Sequence, residues 1–212
     1  MKLYLQMIRD GGPIMVVIAF CTLIAVFIFL KKYMQFYRAQ VNVDDLIKGL
    51  VNVLKRDGMI EAITLCETTP GPVARILSAA IHAYQNGDDI KQSLEDQSLI
   101  EVPRLEANLN ILATITYILP LLGLLGTVTG MMETFRIMQQ SSAVTMPELS
   151  KGVHLALVCT AAGLCAAIPC HIAYNFLLTK VQGFCVEMER ASSSIMAFFQ
   201  QHAQENAQNE EK

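Results

Sequence analysis

Three apolar runs, Gly11 to Leu30, Ala107 to Met132 and Gly152 to Thr179, hold glycines, prolines and threonines but no carboxylate, lysine or arginine. A helix rising about 1.5 Å per residue needs roughly 20 apolar residues to cross a hydrocarbon core about 30 Å thick, and all three runs reach that length. The later two exceed it, so they are expected to tilt or to protrude as longer helices. With 53% of the residues apolar, 17% charged and no tryptophan, a soluble domain of 212 residues is disfavoured. The expected fold is all-α: a multi-pass membrane protein with three transmembrane helices that extend into a helical cytoplasmic region.

The first run follows Lys2 and Arg9, as a secretory signal would, but Asp10, Gly11, Gly12 and Pro13 interrupt the approach and no small-x-small site closes the run. In Ile18-Ala19-Phe20-Cys21 a bulky Phe20 stands where lipoprotein processing needs a small residue. An uncleaved anchor is expected. Orientation follows from basic residues near the span ends. Lys31, Lys32, Arg38, Lys48, Lys91, Arg104, Lys180 and Arg190 fall on one side, against Lys2, Arg9, Arg136 and Lys151 on the other. The expected segments are therefore an outer amino terminus (1–12), spans at 13–31, 109–132 and 152–179, inner segments at 32–108 and 180–212, and an outer loop at 133–151.

The six cysteines, Cys21, Cys66, Cys159, Cys165, Cys170 and Cys185, form no Cys-x-x-Cys pair and read as small apolar helix residues. Cys170 and His171 are adjacent, about 100° apart on a helix, which argues against a metal site. A net charge of −3 gives no nucleic-acid footprint. No nucleophile and base arrangement, phosphate loop or ligand cluster appears, so neither an enzyme nor a cofactor is expected.

Between the first two spans, Asp44-Asp45, Asp57-Gly58, Pro70-Gly71-Pro72 and Asn86-Gly87-Asp88-Asp89 punctuate helices. Leu46, Leu50, Val53 and Leu54 make one apolar stripe; Val73, Ile76, Leu77, Ala80, Ile81 and Tyr84 make another. These stripes are expected to pack on each other or on inner extensions of the spans. The tail from Val181 begins as an amphipathic helix, and its last dozen Gln-, Asn- and Glu-rich residues are expected to fray.

Within the second span, Gly126 and Gly130 lie four apart with Gly123 beside them, so another backbone can approach closely, and the stripe reads as an oligomerisation face. Gly152, Ala156, Thr160, Gly163 and Ala167 repeat that pattern in the third span. Pro120 and Pro169 cannot donate to the Thr116 and Cys165 carbonyls. Most threonines in such helices bond their own chain's carbonyls. Thr127 and Thr160 stand apart, because each is mid-span on or beside a close-packing stripe, where a hydroxyl can bond water or a neighbouring chain's carboxyl. A hydroxyl stores no proton near neutral pH, so an acid for proton passage has to come from another polypeptide.

Pro120-Leu-Leu-Gly-Leu-Leu-Gly-Thr-Val-Thr-Gly130 and Thr160-Ala-Ala-Gly-Leu-Cys-Ala-Ala-Ile-Pro169 resemble the second- and third-span signatures of the ExbB/TolQ/MotA proton-channel family. Gly12-Pro13, Pro70-Gly-Pro-Val-Ala-Arg75 and Leu105-Glu106 add to the likeness, and the short length and three spans favour its ExbB/TolQ branch. The resemblance implies a homopentamer in the bacterial inner membrane, with the amino terminus periplasmic and the carboxyl terminus cytoplasmic. Its second and third spans would line a central pore around an ExbD/TolR-like single-span subunit that carries an intramembrane Asp. Proton passage would then drive a TonB- or TolA-like protein acting on the outer membrane. The family threonines that face the aspartate correspond to Thr127 and Thr160, with Thr129 beside the first in the same motif.

One position departs from the pattern. Where the family commonly has a glutamate, five residues before the third-span threonine, this chain has Leu155, next to His154. His154 is either a solvated bystander or a group that takes over part of the proton handling, since its ordinary pKa near 6.5 lies in the useful range. The competing reading of the whole chain is a non-conducting membrane scaffold that assembles an envelope complex through the same glycine stripes.

Overall fold

A computed structural model describes residues 12–56, 58–140 and 146–210. The expected outer amino terminus up to Gly11, Asp57, the Ser141-Ser142 stretch and the last two residues lie outside the described residues. Among the described residues all regular structure is helical: α1 (Gly12–Ala39), α2 (Val43–Leu54), α3 (Met59–Thr68), α4 (Pro72–Asn86), α5 (Ile90–Glu106), α6 (Leu109–Gln140) and α7 (Met146–Glu210). Among the described residues, three helices are long and apolar enough to cross a membrane. The chain divides into two compact units, one of residues 1–31 and 108–177, the other of residues 32–107 and 178–212.

The first unit holds the apolar parts of α1, α6 and α7. Its inward side chains are Met15, Ile18 and Ala25 of α1, Leu112, Ile115 and Leu119 of α6, and Ala156, Ala167 and Leu177 of α7. The outward faces are apolar too: Phe20, Leu23 and Phe27, Leu121 and Leu124, Leu157, Ile168 and Ile172 are all exposed. A helix that is apolar all round fits lipid or a deep core, and a unit this small has no deep core to offer.

The second unit is built from the four short helices and the lengths of α1 and α7 that lie outside the first unit. Asp44 and Asp45 place negative charge in the first turn of α2, where the helix dipole favours it. Val43, Leu46, Leu50 and Leu54 of α2 are buried, while Val53 is half-buried. At Gly71, φ is 132° and a Cβ would lie 2.9 Å from the Ala39 carbonyl, so only glycine fits that turn. Pro72 opens α4 with its fixed φ and missing N–H, neither of which the first turn minds. Gly87, left-handed at φ 76°, closes α4, and the Asp88 N–H reaches the Ala83 carbonyl at 2.9 Å. The Asp89 carboxylate then caps α5 through the Lys91 and Gln92 N–H groups.

Of the two expected homes for the amphipathic stripes, the extensions of the spans are used. Neighbouring short helices pack in sequence, α2 on α3, α3 on α4 and α4 on α5. Helix α7 contributes a buried row of Val181, Phe184, Met188, Ala191, Ile195 and Phe199. Phe184 meets Phe36 edge-on with ring centres 5.6 Å apart, and Phe199 stacks on Tyr84 at 4.3 Å. Arg190 reaches Asp44 at 3.1 Å.

Two sequence expectations need correction. The tail, expected to fray over its last dozen residues, is helical as far as it is described: α7 runs to Glu210, because Gln, Glu and Ala are good helix formers and no glycine or proline interrupts them. The described residues of the segment expected as an outer loop, 133–140 and 146–151, are also helical, with α6 continuing to Gln140 and α7 starting at Met146. Pro147 sits in the first turn of α7, where a missing N–H leaves no gap in the hydrogen-bond ladder.

Candidate functional site

The glycines of α6 face α7 of the same chain. A Cβ on Gly123 would lie 3.1 Å from Thr160 Cα, and one on Gly130 would lie 3.0 Å from Ala156 Cβ. At Gly126 an added Cβ would overlap Cys159 Cβ, and at Gly152 it would overlap the Thr134 hydroxyl. From the other side, a Cβ on Gly163 would sit 2.8 Å from the Leu119 carbonyl oxygen and 2.9 Å from Gly123 Cα. The stripe read as joining separate chains therefore joins two helices of one chain. Periodicity identifies which residues share a face, and in lipid any close-fitting backbone can fill it.

Along this seam the Thr160 hydroxyl donates to the Gly123 carbonyl at 3.0 Å. Such interhelical bonds are worth about 0.6 kcal/mol on average in a membrane bundle. One turn along α6, half-buried Thr127 donates to its own Leu124 carbonyl at 2.6 Å. Thr129 is exposed and shares its proton between the Leu125 and Gly126 carbonyls at 3.0 and 3.1 Å. Two residues from Thr127, it projects about 200° away on the helix, so the two do not share a face. Pro120 and Pro169 both lie inside uninterrupted helices. His154 is exposed and Leu155 half-buried; six residues separate His154 from Thr160, about 240° round the helix. The structure thus gathers Thr160 with Gly123, Gly126, Gly130 and Gly163, sets Thr127 one turn away, and leaves Thr129 and His154 on other faces.

The second unit contains a charge cluster that sequence reading missed. The Glu101 side chain is fully buried, yet Arg75 reaches its Oε2 at 2.6 Å and Arg104 its Oε1 at 2.8 Å, with Gln97 donating to Oε1 at 3.3 Å. Lys32, 3% exposed, donates to the Leu105 carbonyl at 3.0 Å and the Arg104 carbonyl at 3.3 Å. Those are last-turn carbonyls of α5, where the helix dipole favours a cation. Its ammonium also lies 5.4 Å from the Phe36 ring centre. The available signals were Arg75 in its Pro-Gly-Pro motif and the Glu101 to Arg104 spacing of three. Arg75→Ala is expected to lower stability by about 3 kcal/mol, because it strips a buried carboxylate of one of its two cations; denaturant unfolding in detergent measures this.

All six cysteines are free thiols: Cys66, Cys159 and Cys170 are buried, Cys165 is exposed and the other two are half-buried. Burial pushes the Cys66 thiol up to about 11, so it stays protonated and unreactive at neutral pH. Burial likewise raises the Glu187 carboxyl, with Lys180 pulling it partly back. Among the described residues no group of three or more metal-ligating side chains comes together.

Apolar spans with outward apolar faces, paired through glycines and extended into a helical unit, define a multi-span helical membrane protein. It belongs to the MotA/TolQ/ExbB proton channel family, which matches residues 68–190, including both signature threonines. The chain is 27% identical over 184 residues to an ExbB homologue of Methanothermobacter thermautotrophicus, covering 84% of this chain and 63% of that protein. It is 44% identical over 85 residues to the biopolymer transport protein ExbB of Aquifex aeolicus, covering 40% of this chain and 57% of that one. To the Tol-Pal system protein TolQ of Pseudomonas aeruginosa it is 45% identical over 75 residues, covering 35% and 32% respectively. The chain thus spans less than two thirds of the length of each of these relatives.

Proposed function

We propose that this chain is the sleeve subunit of a proton-driven motor that energises biopolymer transport or envelope maintenance. Several copies, five by family resemblance, surround an ExbD/TolR-like single-span subunit with one intramembrane aspartate, and α6 and α7 face that helix. Protons carried by the aspartate move one component against the other, and the work passes to a TonB- or TolA-like protein at the outer membrane. The chain sits in the inner membrane with its amino terminus periplasmic and its tail cytoplasmic, and it catalyses no covalent chemistry. His154 marks the outer end of the path.

The observation that carries this reading is the pairing of acid-free spans with a mid-span hydroxyl, Thr160, fixed at the glycine seam within the family-matched region. A sleeve without an acid cannot pass protons alone, because a hydroxyl does not titrate near neutral pH. Vesicles holding the chain together with its single-span partner are expected to dissipate a pH gradient, and vesicles holding the chain alone are not. Equal proton flux in both preparations would refute the sleeve reading; no flux in either would leave a non-conducting scaffold.

A further inference from the structure

The Glu101 cluster carries more charge than it cancels. Arg75 of α4 and Arg104 of α5 meet the two oxygens of one fully buried carboxylate at 2.6 and 2.8 Å. In charge, one arginine balances Glu101 and the other is left over. Lys32 adds a further cation through its bonds to the Arg104 and Leu105 carbonyls. Glu106, the other acid in the last turn of α5, is two residues from Arg104 and projects about 200° away from it. The two arginine side chains are 49% and 62% exposed, although the carboxylate that fixes them is sealed from solvent. A guanidinium has five N–H donors in a rigid plane, so the edge that meets the carboxylate leaves other edges facing outward.

The place of the cluster along the chain says what this surplus charge meets. Lys32 is two residues past Leu30, the end of the first apolar run, within the unbroken helix α1, so its Cα lies about 3 Å further along the axis. Arg104 is three residues before Ala107, where the second apolar run begins, at most about 11 Å of chain. The bond from Lys32 to the Arg104 carbonyl ties these two positions to one level. Beyond each face of the hydrocarbon lies a headgroup layer roughly 5 to 7 Å thick, and it holds the lipid phosphates.

We propose that Arg75 and Arg104, fixed by the buried Glu101, form a two-armed site for the phosphate of an anionic phospholipid in the leaflet at this end of the spans. The site is additional to the sleeve reading and does not depend on it. Paired N–H groups of arginine match two phosphate oxygens at once, and basic pockets beside spanning helices take anionic headgroups. Depth along the chain selects a lipid over a soluble anion, and the unbalanced charge selects an anionic lipid over a zwitterionic one.

Native mass spectrometry of the full chain in detergent, titrated with phosphatidylglycerol or phosphatidylcholine, tests this through the Kd of the first bound lipid. Wild type should hold phosphatidylglycerol about tenfold more tightly than phosphatidylcholine, whose choline offsets its phosphate. The double variant Arg75→Lys, Arg104→Lys keeps both charges on Glu101, but an ammonium spent on the carboxylate presents no planar pair outward, and the tenfold preference should disappear. Lys91→Gln removes a charge about 20 Å along α5 from Arg104 and should bind as wild type. Equal binding of the two lipids by wild type overturns the proposal, a comparison that needs no variant to fold; an unchanged preference in the folded double variant overturns it too. Displacement of the lipid by equimolar inorganic phosphate would make this a soluble-anion site, and displacement by an equimolar glutamate-rich peptide would make it a protein contact. Either result also sinks the lipid assignment.

Discussion

Thr160→Val should abolish proton flux through the partnered complex, by about 100-fold or more, while leaving the chain folded and assembled. Valine keeps the shape of threonine and removes only the hydroxyl. The structural loss is the 3.0 Å bond to Gly123, worth about 0.6 kcal/mol and at most about 1.7 in bundles of this kind. That is small beside the packing of a seam where Gly123, Gly126, Gly130 and Gly163 all meet the opposite helix. The functional loss is larger, because a positioned group in a proton-transfer step typically contributes 10²- to 10⁴-fold. Thr127→Val should behave alike, with still less structural effect, since its hydroxyl bonds only its own helix. Flux into vesicles and native mass spectrometry of the same samples separate the two effects. Full flux from both variants would remove the threonines from the ion path, and loss of assembly would recast Thr160 as a structural residue.

The spans were legible in the sequence because a run without carboxylate or ammonium has few alternatives to lipid, and length alone then sets the element. The four short helices were legible for a different reason: Pro72, Gly87 and Asp89 act through local backbone chemistry that does not depend on the rest of the fold. What meets a given face is not local, and here the reading missed. Gly126 and Gly130 were correctly placed on a close-packing stripe, but the backbone filling it belongs to α7 of the same chain, with Cys159 and Ala156 seated against them. Glu101 was missed because a charged residue between two spans is ordinarily solvated; only folding brings Arg75 from α4 to cover it. The later two spans were expected to protrude as longer helices, but how far α6 and α7 continue into the 133–151 segment was missed because polarity was taken for irregularity.

Gly163→Leu should have the largest effect on the fold itself. The first atom of any side chain at this position would lie 2.8 Å from the Leu119 carbonyl oxygen and 2.9 Å from Gly123 Cα. Both are backbone atoms inside a continuous helix, so neither can swing aside as a side chain would. The helices must part, and parting them breaks the Thr160 to Gly123 bond and forfeits the close contact along the whole seam. Lipid offers no hydrophobic gain to offset this, because the tails are as apolar as leucine. A loss of about 3 kcal/mol, the upper end for overpacking, is the expected minimum. Gly183→Ala serves as the control: Gly183 lies within the same helix α7 with nothing near its missing Cβ, and alanine there should add up to about 1 kcal/mol through helix propensity. Unfolding in mixed micelles with increasing denaturing detergent should move the two variants in opposite directions from wild type. If Gly163→Leu unfolds together with wild type, the seam between α6 and α7 is not where this chain holds its hydroxyls, and the placement of Thr160 at the ion path falls with it.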